Sequence, residues 1–208
     1  MILKICGLTN QEDATAAIEA GATAVGFNFY ARSPRYIAPE RAAGIISPEG
    51  VRRIGVFVNE RRERVEDVAR IARLDVAQLH GDETPADYPR TPDLVASTLL
   101  GVWKALRVGD DFDITAYQDD PAEALLLDGP AAGLYGGSGR SFDWNLVRQT
   151  RRRIVLAGGL DASNVARAIQ VVRPWGVDAC SRIESAPGKK DFKKMNEFLQ
   201  AAKAAASA

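Results

Sequence analysis

The sequence lacks the features that mark a metal, disulfide or membrane protein. It contains one histidine and two cysteines among 208 residues, and neither Cys6 nor Cys180 belongs to a CxxC or Cys/His cluster with the spacing of metal ligands. Two distant cysteines exclude a disulfide framework. No apolar run approaches the roughly 20 residues of a membrane helix, and no basic segment with an apolar signal core opens the chain. We therefore expect a cytoplasmic protein without membrane partners.

An excess of charge of one sign is also lacking. Lys plus Arg and Asp plus Glu both number 27, so no net field attracts nucleic acid. We expect a small-molecule partner instead. The 46% hydrophobic content is enough for a full core, and no linker rich in Pro, Gly or Ser divides the chain. These features predict one domain over residues 1–208.

What the chain does contain is a regular alternation of short apolar runs with amphipathic segments, which predicts βα units and a parallel sheet. The eight predicted strands are 2–6, 23–29, 51–58, 75–79, 102–107, 124–128, 153–157 and 176–180. Helical patterns lie at 11–20, 39–46, 61–72, 85–89, 112–118, 144–150, 163–172 and 191–204. An open doubly wound sheet is the alternative, but the turn after the first strand reads CGLTNQ and lacks the GxGxxG of dinucleotide binding. Eight strands favour a single-domain (β/α)8 TIM barrel of near minimal size.

In such a barrel the active site is built at the carboxyl ends of the strands, so the polar residues there are the candidates for chemistry. Cys6 reads either as a small buried hydrophobe or as a thiolate, since Lys4 lies two residues back on the same strand face. Asp128 reads as a helix cap or as a general acid, because an apolar barrel mouth favours a protonated carboxyl. For His80 we favour a strand-end residue that hydrogen-bonds its loop, since no Ser or Asp is placed to complete a triad.

Two loops suggest an anionic ligand. Gly158 and Gly159 precede a predicted helix, so their backbone N–H groups and those of the strand-eight loop form a phosphate cradle, with a tight turn as the alternative. Arg35, in the SPRY loop, would hold a carboxylate through two hydrogen bonds, with a solvated surface arginine as the alternative. We also read Thr9 and Glu12 as a capping box for the first helix. The residues thus predict a barrel that binds a small phosphorylated, carboxylated compound and transfers protons.

The order of eight motifs adds a resemblance to this reading. The motifs are KICGLT, GFNFYARSPRYI, GVFVN, QLHGDE, LLLDG, GGSGRSFDW, LAGGLDASNV and ESAPGKKD. From residue 3 to about residue 195 the chain resembles the phosphoribosylanthranilate isomerase family of tryptophan biosynthesis. The resemblance implies an Amadori rearrangement of N-(5'-phosphoribosyl)anthranilate to an open-chain aminoketone, with no metal or organic cofactor. We expect a monomer, with a dimer as the alternative.

The resemblance also implies roles for the candidate residues. Cys6 would be the general base that takes the proton from C2', and Asp128 the general acid that protonates the ribose ring oxygen. Arg35 would bind the anthranilate carboxylate. The phosphate would be bound by the loops after strands seven and eight, with Gly158, Gly159, Ser181 and Arg182.

The strand-eight loop departs from the family pattern. Family members commonly read VDVSSGVE where this chain reads VDACSRIE, so Arg182 replaces a glycine and Cys180 a serine. We expect Arg182 to grip the phosphate or to point outward, and Cys180 to be packed. Two other functions stay open. One is a different phosphosugar isomerase on the same fold, such as that of histidine biosynthesis, which is expected to use paired aspartates at strands one and five. The other is a barrel that binds phosphoribosyl ligands without converting them.

Overall fold

A computed structural model describes residues 1–88, 101–130, 141–147 and 150–207. Eight parallel strands close into one barrel in chain order, and the eighth returns to pair with the first. The strands are β1 Ile2–Ile5, β2 Ala24–Asn28, β3 Arg52–Phe57, β4 Val76–Leu79, β5 Gly101–Arg107, β6 Ala124–Asp128, β7 Ile154–Leu156 and β8 Gly176–Ala179. Each predicted strand has its counterpart, so the prediction of a TIM barrel is confirmed.

The helices follow the prediction at both ends of the chain and differ in its middle. The α-helices are α1 Gln11–Glu19, α2 Pro39–Gly44, α3 Arg62–Ala72, α4 Val165–Val172 and α5 Phe192–Ala206. The segments predicted at 85–89, 112–118 and 144–150 contain only 3-10 turns, at Pro85–Asp87, Ile114–Tyr117 and Trp144–Val147. Segments of five to seven residues are marginal as α-helices, so their periodicity does not decide between an α-helix and a 3-10 turn. Residue 89 and residues 148–149 of the predicted segments lie outside the described residues, as does the GGSGR part of the sixth motif.

The start of α1 corrects one prediction. The helix is capped by Asn10, whose side-chain oxygen accepts a hydrogen bond from the backbone N–H of Asp13 at 2.8 Å. Thr9, the predicted cap, instead donates from its hydroxyl to the carbonyl of Gly188 at 2.7 Å. Asn is at least as good an N-cap as Thr, so the capping position moves one residue along and Thr9 fastens the strand-eight region to the first loop. None of the helices in the described ranges is long and apolar enough to cross a membrane.

The core has two layers, because alternate strand residues point to opposite sides of the barrel wall. The outer layer packs the strands against the helices. The lower barrel interior is filled by buried apolar side chains, namely Ala24, Ile54, Val76, Trp103, Ala105, Ala124, Leu126, Val155 and Ala157. Closer to the carboxyl ends of the strands, the inward-facing side chains are polar, namely Lys4, Gln78, Asp128 and Asp178. The fold therefore has a dry apolar base below a polar carboxyl end.

A buried arginine joins two helices to the barrel. The guanidinium of Arg53, on β3, donates to the carbonyls of Ala42 and Ile45 at the end of α2, at 2.7 and 2.8 Å. It also donates to the carbonyls of Ala72 and Arg73 at the end of α3. One cation thus satisfies the last carbonyls of two helices and complements both of their dipoles.

We predict that Arg53→Met destabilises the fold by about 3 kcal/mol, because it leaves several buried carbonyls without donors. Urea unfolding measures the loss. Arg62→Met is the matched control, because Arg62 forms only a half-exposed i,i+4 pair with Glu66 and should cost less than about 0.5 kcal/mol. Equal losses in the two variants would contradict the role given to Arg53.

Candidate active site

One cavity lies at the carboxyl ends of the strands. All seven residues that the sequence predicted for the site line it: Cys6, Arg35, Asp128, Gly158, Gly159, Ser181 and Arg182. They come from five different loops or strand ends, and the closed barrel gathers them because the carboxyl ends of parallel strands meet at one edge. The cavity is also lined by residues that the sequence reading did not select, among them Gln78 and Asp178.

Cys6 lies beside a buried ion pair. Lys4 is fully buried, and its ammonium donates to Asp178 Oδ2 at 2.7 Å. Burial raises the pKa of Asp178 to about 7 against the charge of Lys4. Burial lowers the pKa of Lys4, but the negative charges of Asp178 and Cys6 raise it by more, so the pKa lies above its usual value. The ammonium of Lys4 therefore stays charged beside Cys6.

The surroundings of Cys6 favour its thiolate. The largest effect comes from the neighbouring thiol of Cys180, a hydrogen-bond donor that lowers the pKa of Cys6. Burial opposes ionisation, and the charges of Lys4 and Lys190 favour it. Together they hold the pKa of Cys6 well below its usual value. Gly26 of β2 provides the space, since a Cβ there would lie 2.9 Å from Cys6 Sγ and 3.0 Å from Lys4 Cε.

Asp128 ends β6 inside the cavity, where it is 6% exposed. Its Oδ1 accepts a hydrogen bond from the backbone N–H of Gly129 at 2.9 Å, and its Oδ2 lies 3.5 Å from Nε2 of His80. His80 Nδ1 lies 2.9 Å from the amide nitrogen of Gln78. The sequence predicted His80 as a strand-end residue that hydrogen-bonds its loop. It does follow β4 directly, but its ring lies beside the candidate acid and Gln78. The group of Gln78, His80 and Asp128 could have been predicted from Gln78, because a polar residue at an inward position of a buried strand indicates a polar partner inside the barrel.

The glycine pair has the backbone that a tight anion-binding turn needs. Gly158 and Gly159 have φ of +77° and +64°. A Cβ on Gly158 would lie 2.3 Å from Gly129 N and 2.8 Å from Asp128 Oδ1, so only glycine fits beside the carboxyl. The side chain of Asn164 fastens the loop, since its amide donates to Gly159 O at 2.8 Å. The loop therefore presents only backbone atoms of Gly158 to the carboxyl of Asp128.

The strand-eight loop forms the facing wall. Ser181 begins a 3-10 turn over Ser181–Ile183, and Arg182 is half exposed with its Nη1 3.3 Å from Asp161 Oδ2. Arg182 therefore bridges the two loops of the predicted phosphate cradle. Cys180 is half-buried at the cavity wall and not fully packed, which corrects the expectation for it.

Arg35 reaches the cavity from the loop after β2. Its Nε donates to both carboxylate oxygens of Glu184, at 2.9 and 3.1 Å, and its Nη2 donates to Oε2 at 2.7 Å. Glu184 also accepts from Lys190 at 2.9 Å. One carboxylate thus serves two cations and leaves a net positive charge on this side of the cavity. No pattern in the sequence predicted the Arg35–Glu184 pair, whose members are 149 residues apart.

These features define the chemistry that the cavity supports. The thiol of Cys6, just after β1, and the carboxyl of Asp128, at the end of β6, line the same space and suit a proton acceptor and a proton donor. A backbone turn with two left-handed glycines suits a phosphate, and the positive side near Arg35 suits a carboxylate.

Comparison with known proteins shows the family to which the chain is related. The family model of N-(5'-phosphoribosyl)anthranilate (PRA) isomerase matches residues 3–201. The N-(5'-phosphoribosyl)anthranilate isomerase of Solibacter usitatus is 64% identical over the whole of both chains. A phosphoribosyl anthranilate isomerase solved with reduced 1-(o-carboxyphenylamino)-1-deoxyribulose 5-phosphate is 41% identical, with a TM-score of 0.83 over 98% of this chain and 100% of that chain. Monomers generated from the dimeric enzyme of Thermotoga maritima are 40% identical, with a TM-score of 0.81 over the same shares.

The ion pair beside Cys6 yields a prediction. In a Cys180→Ser background, where Cys6 is the only cysteine, Lys4→Met should raise the pKa of Cys6 by about one to three pH units, because a cation that favours the thiolate is lost. Below the new pKa, alkylation by iodoacetamide then slows. Lys203→Met, in the same background, is the control, since that ammonium binds Ala20 O on the outside of the barrel. An unchanged pH dependence would show that the charge of Lys4 does not act on the sulfur.

Proposed function

This chain belongs to the N-(5'-phosphoribosyl)anthranilate isomerase family, and we propose that Cys6 and Asp128 carry out the proton transfers of its reaction. The protein is an isomerase of tryptophan biosynthesis, of the intramolecular oxidoreductase class. It converts N-(5'-phosphoribosyl)anthranilate to 1-(2-carboxyphenylamino)-1-deoxyribulose 5-phosphate. The observation that supports the two roles is a buried thiol of lowered pKa lining the same cavity as a buried carboxyl.

The first step opens the sugar. Asp128, in its protonated form, gives its proton to the ribose ring oxygen as the bond from that oxygen to C1' breaks. The nitrogen lone pair forms a C=N bond, which leaves an iminium ion at C1'. A general acid beside the leaving oxygen lowers this barrier by typically 10²- to 10⁴-fold. The position of Asp128 supports the role, since the residue is 6% exposed at the end of β6 and lines the same cavity as Cys6.

The second step moves a proton from carbon. The thiolate of Cys6 takes the C2' hydrogen, the C–H electrons form a C1'=C2' bond, and the iminium electrons return to nitrogen. The resulting enolamine tautomerises to the aminoketone. Because the iminium ion itself acidifies the C2' hydrogen, the step needs no metal or organic cofactor. The low pKa of Cys6 supports the role, since a base must be ionised at neutral pH before substrate arrives.

The two ends of the substrate carry negative charge, and the cavity offers a site for each. We assign the anthranilate carboxylate to Arg35, whose guanidinium is fixed by Glu184 through Nε and Nη2. Nη1 of Arg35 makes no hydrogen bond within the described part of the chain. Its two N–H donors are therefore available to the substrate carboxylate. We assign the phosphate to the turn of Gly158 and Gly159 together with Ser181.

Other readings from the sequence are less well supported. The family match does not favour a different phosphosugar isomerase, nor a barrel that only binds its ligand. We propose that this protein is a monomer, as expected from the sequence. A dimer, the state named for the Thermotoga maritima enzyme, is the alternative.

We predict that Cys6→Ser and Asp128→Asn each lower kcat by at least roughly 10²-fold, with a small change in KM, because each removes a proton transfer rather than a binding contact. The decay of anthranilate fluorescence with freshly generated phosphoribosylanthranilate measures turnover. Asp113→Asn is a matched control, since Asp113 caps an exposed 3-10 turn. Near-normal turnover in either site variant would remove that residue from the mechanism, and no turnover by the folded wild type would point to ligand binding only.

A separate prediction concerns Arg182. Its guanidinium pairs with Asp161 at 3.3 Å and is half exposed, so it borders the phosphate turn without filling it. Arg182→Gly should therefore leave kcat/KM within about tenfold of the wild type, because one half-exposed cation contributes about 1 kcal/mol or less. The fluorescence assay decides the question. A gain well above tenfold would show that the arginine obstructs phosphate binding.

A further inference from the structure

The second cysteine of the chain lies beside the first, at the ends of two neighbouring strands. β1 and β8 pair with Ile5 opposite Ala179, and the backbone N–H of Cys6 donates to Ala179 O at 2.9 Å. One residue further, the same register sets Cys6 opposite Cys180, with both side chains toward the barrel interior. Both residues line the cavity. Two thiols therefore share one wall of the active site.

Gly7 allows the second sulfur to come close. Gly7 follows Cys6 with φ of +74°, and a Cβ there would lie 3.0 Å from Cys180 Sγ and 2.7 Å from Arg35 Cδ. Any side chain at this position would displace the sulfur. The backbone after β1 is thus shaped to receive the Cys180 side chain next to Cys6.

The charges around the two sulfurs decide which one keeps its proton. The side chain of Lys4 lies close to Cys6, since a Cβ on Gly26 would lie 2.9 Å from Cys6 Sγ and 3.0 Å from Lys4 Cε. The charges of Lys190 and Arg35 act on both sulfurs. The proximity of the two thiols lowers the pKa of Cys6 and raises that of Cys180. Because Lys4 lies on the Cys6 side of the pair, Cys6 is the sulfur that ionises and Cys180 is the one that keeps its proton.

We propose that Cys180 is a positioning residue for the base: its S–H group donates to the sulfur of Cys6, holds that sulfur as a thiolate and fixes its direction in the cavity. The catalytic meaning of this contact rests on the proposed function of Cys6. A donor to a thiolate increases the ionised fraction at neutral pH, and it lowers the intrinsic basicity of the sulfur. The benefit is thus confined to pH values at which Cys6 would otherwise be protonated.

The test compares Cys180→Ala with Cys180→Ser. In both variants Cys6 is the only cysteine, so the ultraviolet absorbance of the thiolate reports its ionisation without substrate. Serine keeps a donor of similar size and alanine keeps none. We expect the Cys6 titration to lie about one pH unit higher in Cys180→Ala than in Cys180→Ser, as one lost hydrogen bond to an anion predicts. The acidic limb of kcat/KM should move by the same amount, while the rates converge at high pH.

Several results would overturn the proposal. Equal Cys6 titrations in the two variants would show that residue 180 donates nothing to the sulfur. A loss of rate in Cys180→Ala that is the same at every pH would show a packing role. A titration shift without a shift of the kcat/KM limb would remove the catalytic role of Cys180. The fluorescence assay of Cys6→Ser tests the proposed function separately, because the titration does not require Cys6 to be the base.

Discussion

Lys4 and Asp178 form an ion pair inside the barrel, 2.7 Å apart and almost fully removed from water. Removing either partner would leave an uncompensated buried charge, which costs about 3–5 kcal/mol in proteins, so each charge requires the other. Asp178 Oδ1 has no hydrogen-bond partner within the described residues, and this incomplete solvation is part of why the pKa of Asp178 rises to about 7. At neutral pH the ammonium of Lys4 therefore keeps its charge more completely than the carboxylate of Asp178 does. Cys6 receives the benefit, because the ammonium of Lys4 favours its thiolate.

The barrel makes this arrangement possible by separating an apolar base from a polar mouth. The lower interior is closed by large and branched apolar side chains, with the ring of Trp103 packed edge-on against Trp175 at 5.6 Å. Water does not solvate the ion pair from below, and electrostatic interactions above it act through a medium of low polarity. Gly26 and Gly158 then leave the space that the sulfur and the carboxyl of Asp128 occupy.

The sequence predicted the strands and the gathering of the site far better than the contacts within the site. Strands with apolar residues on both faces stand out from the intervening helices, and a parallel barrel necessarily brings their ends together. The 3-10 turns of the middle segments were missed because helical periodicity in short segments does not measure whether an α-helix is stable. The pairs Arg35–Glu184 and Cys6–Cys180 join residues far apart in the chain. They depend on how β1 and β8 are aligned and on how the last loop folds back, which no local pattern encodes.

The charges at the cavity mouth are divided in a way that fits a substrate with two anionic ends. Lys4 and Asp178 cancel, so the thiolate of Cys6 leaves the centre negative. Glu184 faces two cations, Arg35 and Lys190, so that side of the cavity is positive. Under the proposed assignments, the carboxylate is attracted to this positive side and repelled from the base. The glycine turn has no such excess cation beside it, since Arg182 is paired with Asp161, so the proposed phosphate binding there relies on backbone N–H groups. The proposal therefore gives charge the task of orienting one end of the substrate and backbone geometry the task of holding the other.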